Sequence, residues 1–200
     1  LKILDSLKDK NDRTIRREEM LKQMIQYYDG IVPPPLCDYI VGTTPWNEAQ
    51  DAMVALGEKG VDHGYRKTDV VFVSPISLAG CILQTYLRDA NMRAGWNFDI
   101  TFSEDIQVGR YADGGHYDWH IDAFPPDEYG FQRKLSAILF LSDPEEYDGG
   151  EFEIAKMFDI PKKPSKGTIV VFPSVLEHRV TPTDGIRMTA VCWMLGPAFK

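Results

Sequence analysis

Two hundred residues, 44% hydrophobic and 26% charged, make an ordinary globular composition, long enough to withdraw about 70% of the unfolded surface from water and build a core unaided. The longest apolar runs, such as residues 137–141 and 168–172, are far shorter than the ~20 residues of a membrane span. The cysteines Cys37, Cys81 and Cys192 are spaced too widely for a zinc ribbon or a disulfide framework. With 22 basic against 30 acidic residues the net charge is −8, which weighs against a nucleic-acid partner. The cysteine usage and the charged opening LKILDSLKDKNDR, which reads as no secretory signal, lead to the expectation of a cytoplasmic protein with no membrane partner.

Along the chain, the run TIRREEMLKQMIQYY (residues 14–28) sets Ile15, Met20, Leu21, Met24, Ile25 and Tyr28 on one helical stripe. Gly30 ends it, and Pro33, Pro34 and Pro35 predict an extended stretch. A short helix is predicted over 47–56, a strand over 70–73, and a helix over 77–94 with Leu78, Ile82, Leu83, Tyr86, Leu87 and Ala90 on one face. Beyond Gly95 the pattern changes to short strands, predicted at 97–102, 105–111, 135–141, 151–155, 168–172 and 187–195. Gly, Pro, Asn and Asp clusters separate them. This is an α+β pattern: mainly helical support over residues 1–95 packed on a jelly roll or barrel over 96–200. No polar linker divides the halves, so a single domain is expected.

The chemistry has to be assembled from four histidines, His63, His116, His120 and His178. The segment GHYDWHIDAF holds two H-x-D triplets, His116/Asp118 and His120/Asp122. Residues i and i+2 of a strand project to one face, so an imidazole and a carboxylate of either triplet can meet at one metal ion. His178, directly after the apolar run GTIVVFP, is available as a third ligand. Two histidines and a carboxylate with open positions are the donor set of non-haem Fe(II) oxygenases. Arg187 then opens RMTAVCWML, in which Arg187, Thr189, Val191 and Trp193 share one strand face. An arginine there suits bidentate capture of a carboxylate. Cys192 alternates away from that face and reads as packing, and Gly149-Gly150 as a turn.

From Arg66 onward the chain resembles the prolyl 4-hydroxylase branch of the Fe(II)/2-oxoglutarate-dependent dioxygenases, of the bacterial and phage type. The pattern Y-x2-G-x2-Y-x2-H-x-D occurs as Tyr111, Gly114, Tyr117, His120 and Asp122. SDPEEYDGGEFEI resembles the family's double-glycine segment. The distal histidine, an arginine nine residues on and a tryptophan six later recur as His178, Arg187 and Trp193. The resemblance selects His120/Asp122 over His116/Asp118, and it implies a double-stranded β-helix (jelly-roll, cupin-like) core with supporting N-terminal helices. It also implies Fe(II) on His120, Asp122 and His178, and 2-oxoglutarate with its far carboxylate on Arg187 and Tyr111 in the same pocket. O2 is the co-reactant, ascorbate the reductant, and a proline-containing peptide or protein the substrate, near Tyr117 and Trp193. Several eukaryotic relatives have a carboxylate-binding tyrosine where this chain has Phe140, and Ser136 on the same strand face is assigned part of that role. The loop over 123–134 is expected to act as a lid, with Arg133 as a substrate contact. Three alternatives stay open: hydroxylation of another side chain or a small molecule, and a non-catalytic metal-binding jelly roll. Nucleic-acid demethylases share the triad but carry a second arginine where this chain has Trp193.

Overall fold

A computed structural model describes residues 24–52, 60, 62–155 and 160–199. Two antiparallel sheets lie face to face. The larger contains β1 (Gln26–Tyr28), β2 (Gln50–Asp51), β4 (Asp69–Val73), β5 (Phe102–Ser103), β6 (Ile106–Tyr111), β8 (Phe131–Phe140), β11 (Ile169–Pro173) and β13 (Arg187–Pro197). Its order is β1-β11-β8-β13-β6-β4-β2, with β5 also on β13. The smaller contains β3 (Arg66–Lys67), β7 (Gly115–His120), β9 (Tyr147–Gly149), β10 (Phe152–Ile154) and β12 (His178–Gly185). Its order is β10-β12-β7-β3, with β9 also on β12. The sheets are closed against each other by Tyr111, Ile138, Phe140, Val170 and Phe172 from one and Phe152, Ile154 and Val180 from the other.

The outer face of the larger sheet is covered by α1 (Pro34–Thr43) and α2 (Leu78–Arg93). Leu83, Leu87 and Ala90 of α2 pack on Ile106, Val108, Leu139 and Ala190. Ser77 caps α2 by accepting from the Gly80 amide at 3.2 Å. Only glycine fits at Gly80, because a Cβ would lie 2.2 Å from the Pro75 carbonyl oxygen. These residues realise the predicted helix face.

Elsewhere the structure corrects the sequence reading. The described end of the predicted 14–28 helix is strand β1, paired with β11 from Gln26↔Val171 to Tyr28↔Ile169; residues 14–23 lie outside the described residues. The three prolines begin a helix: Pro33 is the extended N-cap, and prolines fill the first helical positions, where their missing N–H is no loss. In place of a helix over 47–56 there is a 3-10 turn (Trp46–Glu48) and β2, with residues 53–56 outside the description. The 97–102 strand shrinks to β5, because the Asn91 side chain bonds both the N–H and the C=O of Phe98 and holds the segment as a loop. Among the described residues before 95, α1 and α2 are joined by β1 to β4, which hydrogen-bond into the two sheets.

Candidate metal centre and cosubstrate pocket

The inner faces of the two sheets enclose a cavity of about 280 Å³. His120 ends β7 and His178 opens β12, and these two residues are direct cross-strand partners. Asp122 follows two residues after His120, where its amide and that of Ala123 both donate to the Ser174 carbonyl, at 3.0 and 2.9 Å. The three side chains are buried, and their candidate ligand atoms lie within 4.8 Å of one another.

Local hydrogen bonds set the chemistry of each donor. His120 Nδ1 is 2.8 Å from the Asp118 carbonyl and His178 Nδ1 is 2.9 Å from that of Leu176. A carbonyl only accepts, so both Nδ1 atoms carry the proton and both Nε2 lone pairs are free for a metal. Those Nε2 atoms face Asp122, at 3.8 Å from Oδ1 for His120 and 3.6 Å from Oδ2 for His178. Burial, then the neighbouring His178, pushes the His120 pKa down to about 3 against the opposing pull of Asp122. Burial disfavours the Asp122 carboxylate, but the two imidazoles and the Ser136 hydroxyl outweigh it and hold its pKa below the ordinary carboxylate range. Neutral imidazoles and an ionised carboxylate are the forms that bind a divalent cation.

A pH dependence follows. The folded His120 imidazole titrates below its unfolded value of about 6.5, so the unfolded chain takes up the proton first as pH falls. The metal-free protein should keep its full stability above about pH 6.5. It should lose stability progressively as pH falls from there toward pH 3. Thermal melts check this: between about pH 7 and pH 4, a His120→Gln variant should lose less in Tm than wild type.

Arg187 opens β13 opposite Tyr111 of β6 and is 1% exposed. Its guanidinium carbon stands 5.0 Å from the Tyr111 ring centre and 5.4 Å from that of Phe140. Nε and Nη1 are buried without a hydrogen-bond partner, and among the described residues no carboxylate pairs with this arginine. A buried cation with two idle donors on a cavity wall matches a carboxylate ligand. Behind it the double glycine makes room: a Cβ at Gly150 would lie 3.0 Å from Arg187 Cδ, Thr183 Oγ1 and Tyr147 Cδ2.

Residues 106–195 match the family model of the 2OG-Fe(II) oxygenase superfamily. Over 94 residues the chain is 44% identical to a PKHD-type hydroxylase of Acidovorax ebreus, covering 44% of this chain and 41% of that protein. Over 120 residues it is 38% identical to the PKHD-type hydroxylase PiuC of Pseudomonas aeruginosa, covering 54% and 53%. The chain thus spans about half, or less, of the length of these curated relatives. Among solved structures, it superposes on the viral collagen prolyl hydroxylase of Paramecium Bursaria Chlorella virus-1 with a TM-score of 0.66 at 20% identity, over 86% of this chain and 96% of that one. A Pseudomonas putida prolyl-4-hydroxylase gives 0.63 at 20% identity, over 85% and 91%. At these identities the shared property is the fold.

The remaining predicted site residues fall at different places. Tyr111, Tyr117, Arg133 and Trp193 all line the cavity. Tyr117 stacks on His120, with ring centres 3.4 Å apart and planes 13° apart. Burial pushes its phenol up to about 12, against the lowering effect of Arg66, so it stays a neutral donor. Arg133 lies on β8 and not in a loop; Glu104 grips it with two hydrogen bonds, and its guanidinium covers the Trp193 ring at 3.8 Å. The segment expected to be a lid is tied down: Asp127 Oδ1 accepts from Tyr129 and Phe131 amides, and Gln132 donates to the Phe124 carbonyl at 2.7 Å. Ser136 does not line the cavity; its hydroxyl donates to Asp122 Oδ2 at 2.7 Å, and its bond is to the metal-side carboxylate. His116 bonds the carbonyls of Gly114 and Gly64, away from the cluster.

Several cavity residues escaped the sequence reading. Arg66 is buried over the far face of Tyr117 at 4.3 Å and donates to Gln107 at 3.2 Å. Phe152 packs against His178, with ring centres 5.8 Å apart. Only the Gln107 position carried a signal, as a polar residue between the apolar Ile106 and Val108 of the strand IQVGRY.

Proposed function

We propose that this chain is an Fe(II)- and 2-oxoglutarate-dependent hydroxylase of peptidyl proline. The observation that carries the reading is the joint burial, in one cavity, of the His120–Asp122–His178 donor set and of Arg187 with two unpaired donors. The donor set fits Fe(II): two imidazole nitrogens and one carboxylate, all within 4.8 Å. When bound there, the metal supplies open coordination positions for a 2-oxo acid and O2. The balanced reaction converts 2-oxoglutarate, O2 and a substrate C–H bond into succinate, CO2 and C–OH.

The protein's own contribution is orientation and exclusion of water. Arg187 takes the far carboxylate of the cosubstrate, with Tyr111 beside it. Ile138, Phe152 and Val180 wall the cavity with apolar surface, which strengthens every charge interaction inside. Tyr117, Trp193 and Arg133 present two aromatic faces and a guanidinium where a prolyl ring would enter. Ascorbate is the proposed reductant. The two facing sheets support a double-stranded β-helix in a single domain, and the free state of Cys37, Cys81 and Cys192 supports a cytoplasmic setting. Among the described residues no helix is long and apolar enough to cross a membrane.

The test is incubation of the protein with Fe(II), 2-oxoglutarate, ascorbate and a panel of proline-rich peptides. Mass spectrometry should find peptides that gain one oxygen atom on proline, with a matching amount of succinate. Succinate without peptide oxidation, or oxidation confined to lysine or to free small molecules, would reject the prolyl assignment. Absence of succinate under all conditions would reject the oxygenase reading.

A further inference from the structure

The strand carrying Ser136 is buried and apolar around it: Leu135, Ala137, Ile138, Leu139 and Phe140. A hydroxyl fully withdrawn from water in such a run is unfavourable unless it is hydrogen-bonded. Ser136 resolves this by donating to Asp122 Oδ2 at 2.7 Å. Its own oxygen lies 2.9 Å from the hydroxyl of Ser174, which is equally buried. Because the Ser136 proton is committed to the carboxylate, the Ser174 hydroxyl is the donor to Ser136, and the two bonds polarise each other in the same sense. Ser174 also holds the backbone of the ligand loop: its carbonyl accepts from the amides of Asp122 and Ala123, and its own amide donates to the Lys134 carbonyl.

The terminal torsion of an aspartate is soft and roughly two-fold. The two imidazoles approach different oxygens of Asp122, His120 facing Oδ1 and His178 facing Oδ2. Rotation of the carboxylate plane would therefore break the arrangement of all three donors. We infer that Ser136, backed by Ser174, is a positioning residue that fixes the plane of the Asp122 carboxylate for metal binding. The inference rests on the reading that the triad holds a divalent cation, and it gives a role to the one hydroxyl in the buried part of that strand.

Cobalt(II) titration of the purified protein, followed by calorimetry and by visible ligand-field absorption, tests it without relying on turnover. Ser136→Ala should weaken Co(II) binding roughly 10–100-fold, as outer-sphere partners of metal ligands do, and shift the absorption band. Ser174→Ala should lose less, and Ser136→Thr, which keeps the hydroxyl, should stay near wild type. Folded Ser136→Ala that binds Co(II) within about twofold of wild type with an unchanged spectrum overturns the inference. So does Ser136→Thr as weak as Ser136→Ala. Should Ser136→Ala fail to fold, Ser174→Ala decides: weakened binding supports the relay, and wild-type binding overturns it. A wild-type protein that binds no Co(II) would overturn the metal-centre reading and this inference together, whereas binding indifferent to both serines overturns this inference alone.

Discussion

Replacing Asp122 with alanine should reduce succinate formation from 2-oxoglutarate by at least about 10³-fold and remove measurable Fe(II) binding. The carboxylate is the only acidic member of the buried cluster, and burial pushes the neighbouring His120 imidazole toward its neutral form. Without it, the two imidazole nitrogens of the cluster have no anionic donor beside them, and the charge of a divalent cation held there goes uncompensated in a low-dielectric site. The fold should survive. The loop is held by backbone bonds from Asp122 and Ala123 to Ser174, which the alanine keeps, and the Ser136 hydroxyl retains Ser174 as partner. Circular dichroism and thermal melts of the variant should therefore match wild type while turnover disappears. His116→Ala, whose ring bonds the carbonyls of Gly114 and Gly64, is the control and should leave turnover intact. Undiminished turnover in Asp122→Ala, with loss in His116→Ala, would move the metal site to the first H-x-D triplet.

The features legible in the sequence were those carried by local periodicity or fixed spacing. The face of α2 follows from residues three and four apart; the i, i+2 spacing offered two H-x-D pairs beside a histidine placed after an apolar strand, and the family resemblance chose His120/Asp122 between them. What stayed hidden depends on partners distant in the chain. Tyr28 belongs to a helical stripe by spacing, yet its backbone pairs with Ile169, and its hydroxyl donates to Asp89 at 2.7 Å; tertiary pairing overrode local preference. Strand β12, HRVTPTDG, lies where no strand is predicted, in a stretch holding Pro182, Asp184 and Gly185. It pairs through register shifts between His178 and Val180 and between Val180 and Thr183, so regular alternation is lost and proline is tolerated. Ser174 lies 38 residues from Ser136, so their shared hydrogen bond leaves no pattern along the chain. Arg66 is similar: its strand has two residues, and its stacking partner Tyr117 is in another strand.

Arg187 supplies the second large effect, and its sign on stability differs from its sign on binding. Arg187 is 1% exposed, with two guanidinium nitrogens unpaired and no carboxylate beside it among the described residues. Burying a cation without such a partner costs folding free energy, and replacement by an apolar side chain of similar length is commonly neutral or stabilising. Arg187→Met should therefore melt at the same temperature as wild type or higher when 2-oxoglutarate is absent. The same substitution removes charge-assisted hydrogen bonds worth about 1.5–3 kcal/mol each. Its KM for 2-oxoglutarate should rise by about 100-fold or more, and Arg187→Lys should fall between, because a lysine keeps the charge but not the two-pronged geometry. Ligand that binds only the folded state raises Tm by mass action. With Mn(II) present, 2-oxoglutarate should raise the Tm of wild type, and at the same concentration it should not raise that of Arg187→Met. A variant that is less stable than wild type yet keeps the cosubstrate-induced shift would mean that Arg187 is a structural residue, and the carboxylate would then have to be bound elsewhere in the cavity. The opposite pair, unchanged or higher stability with the shift lost, is the signature of a side chain retained for a ligand at the expense of the fold.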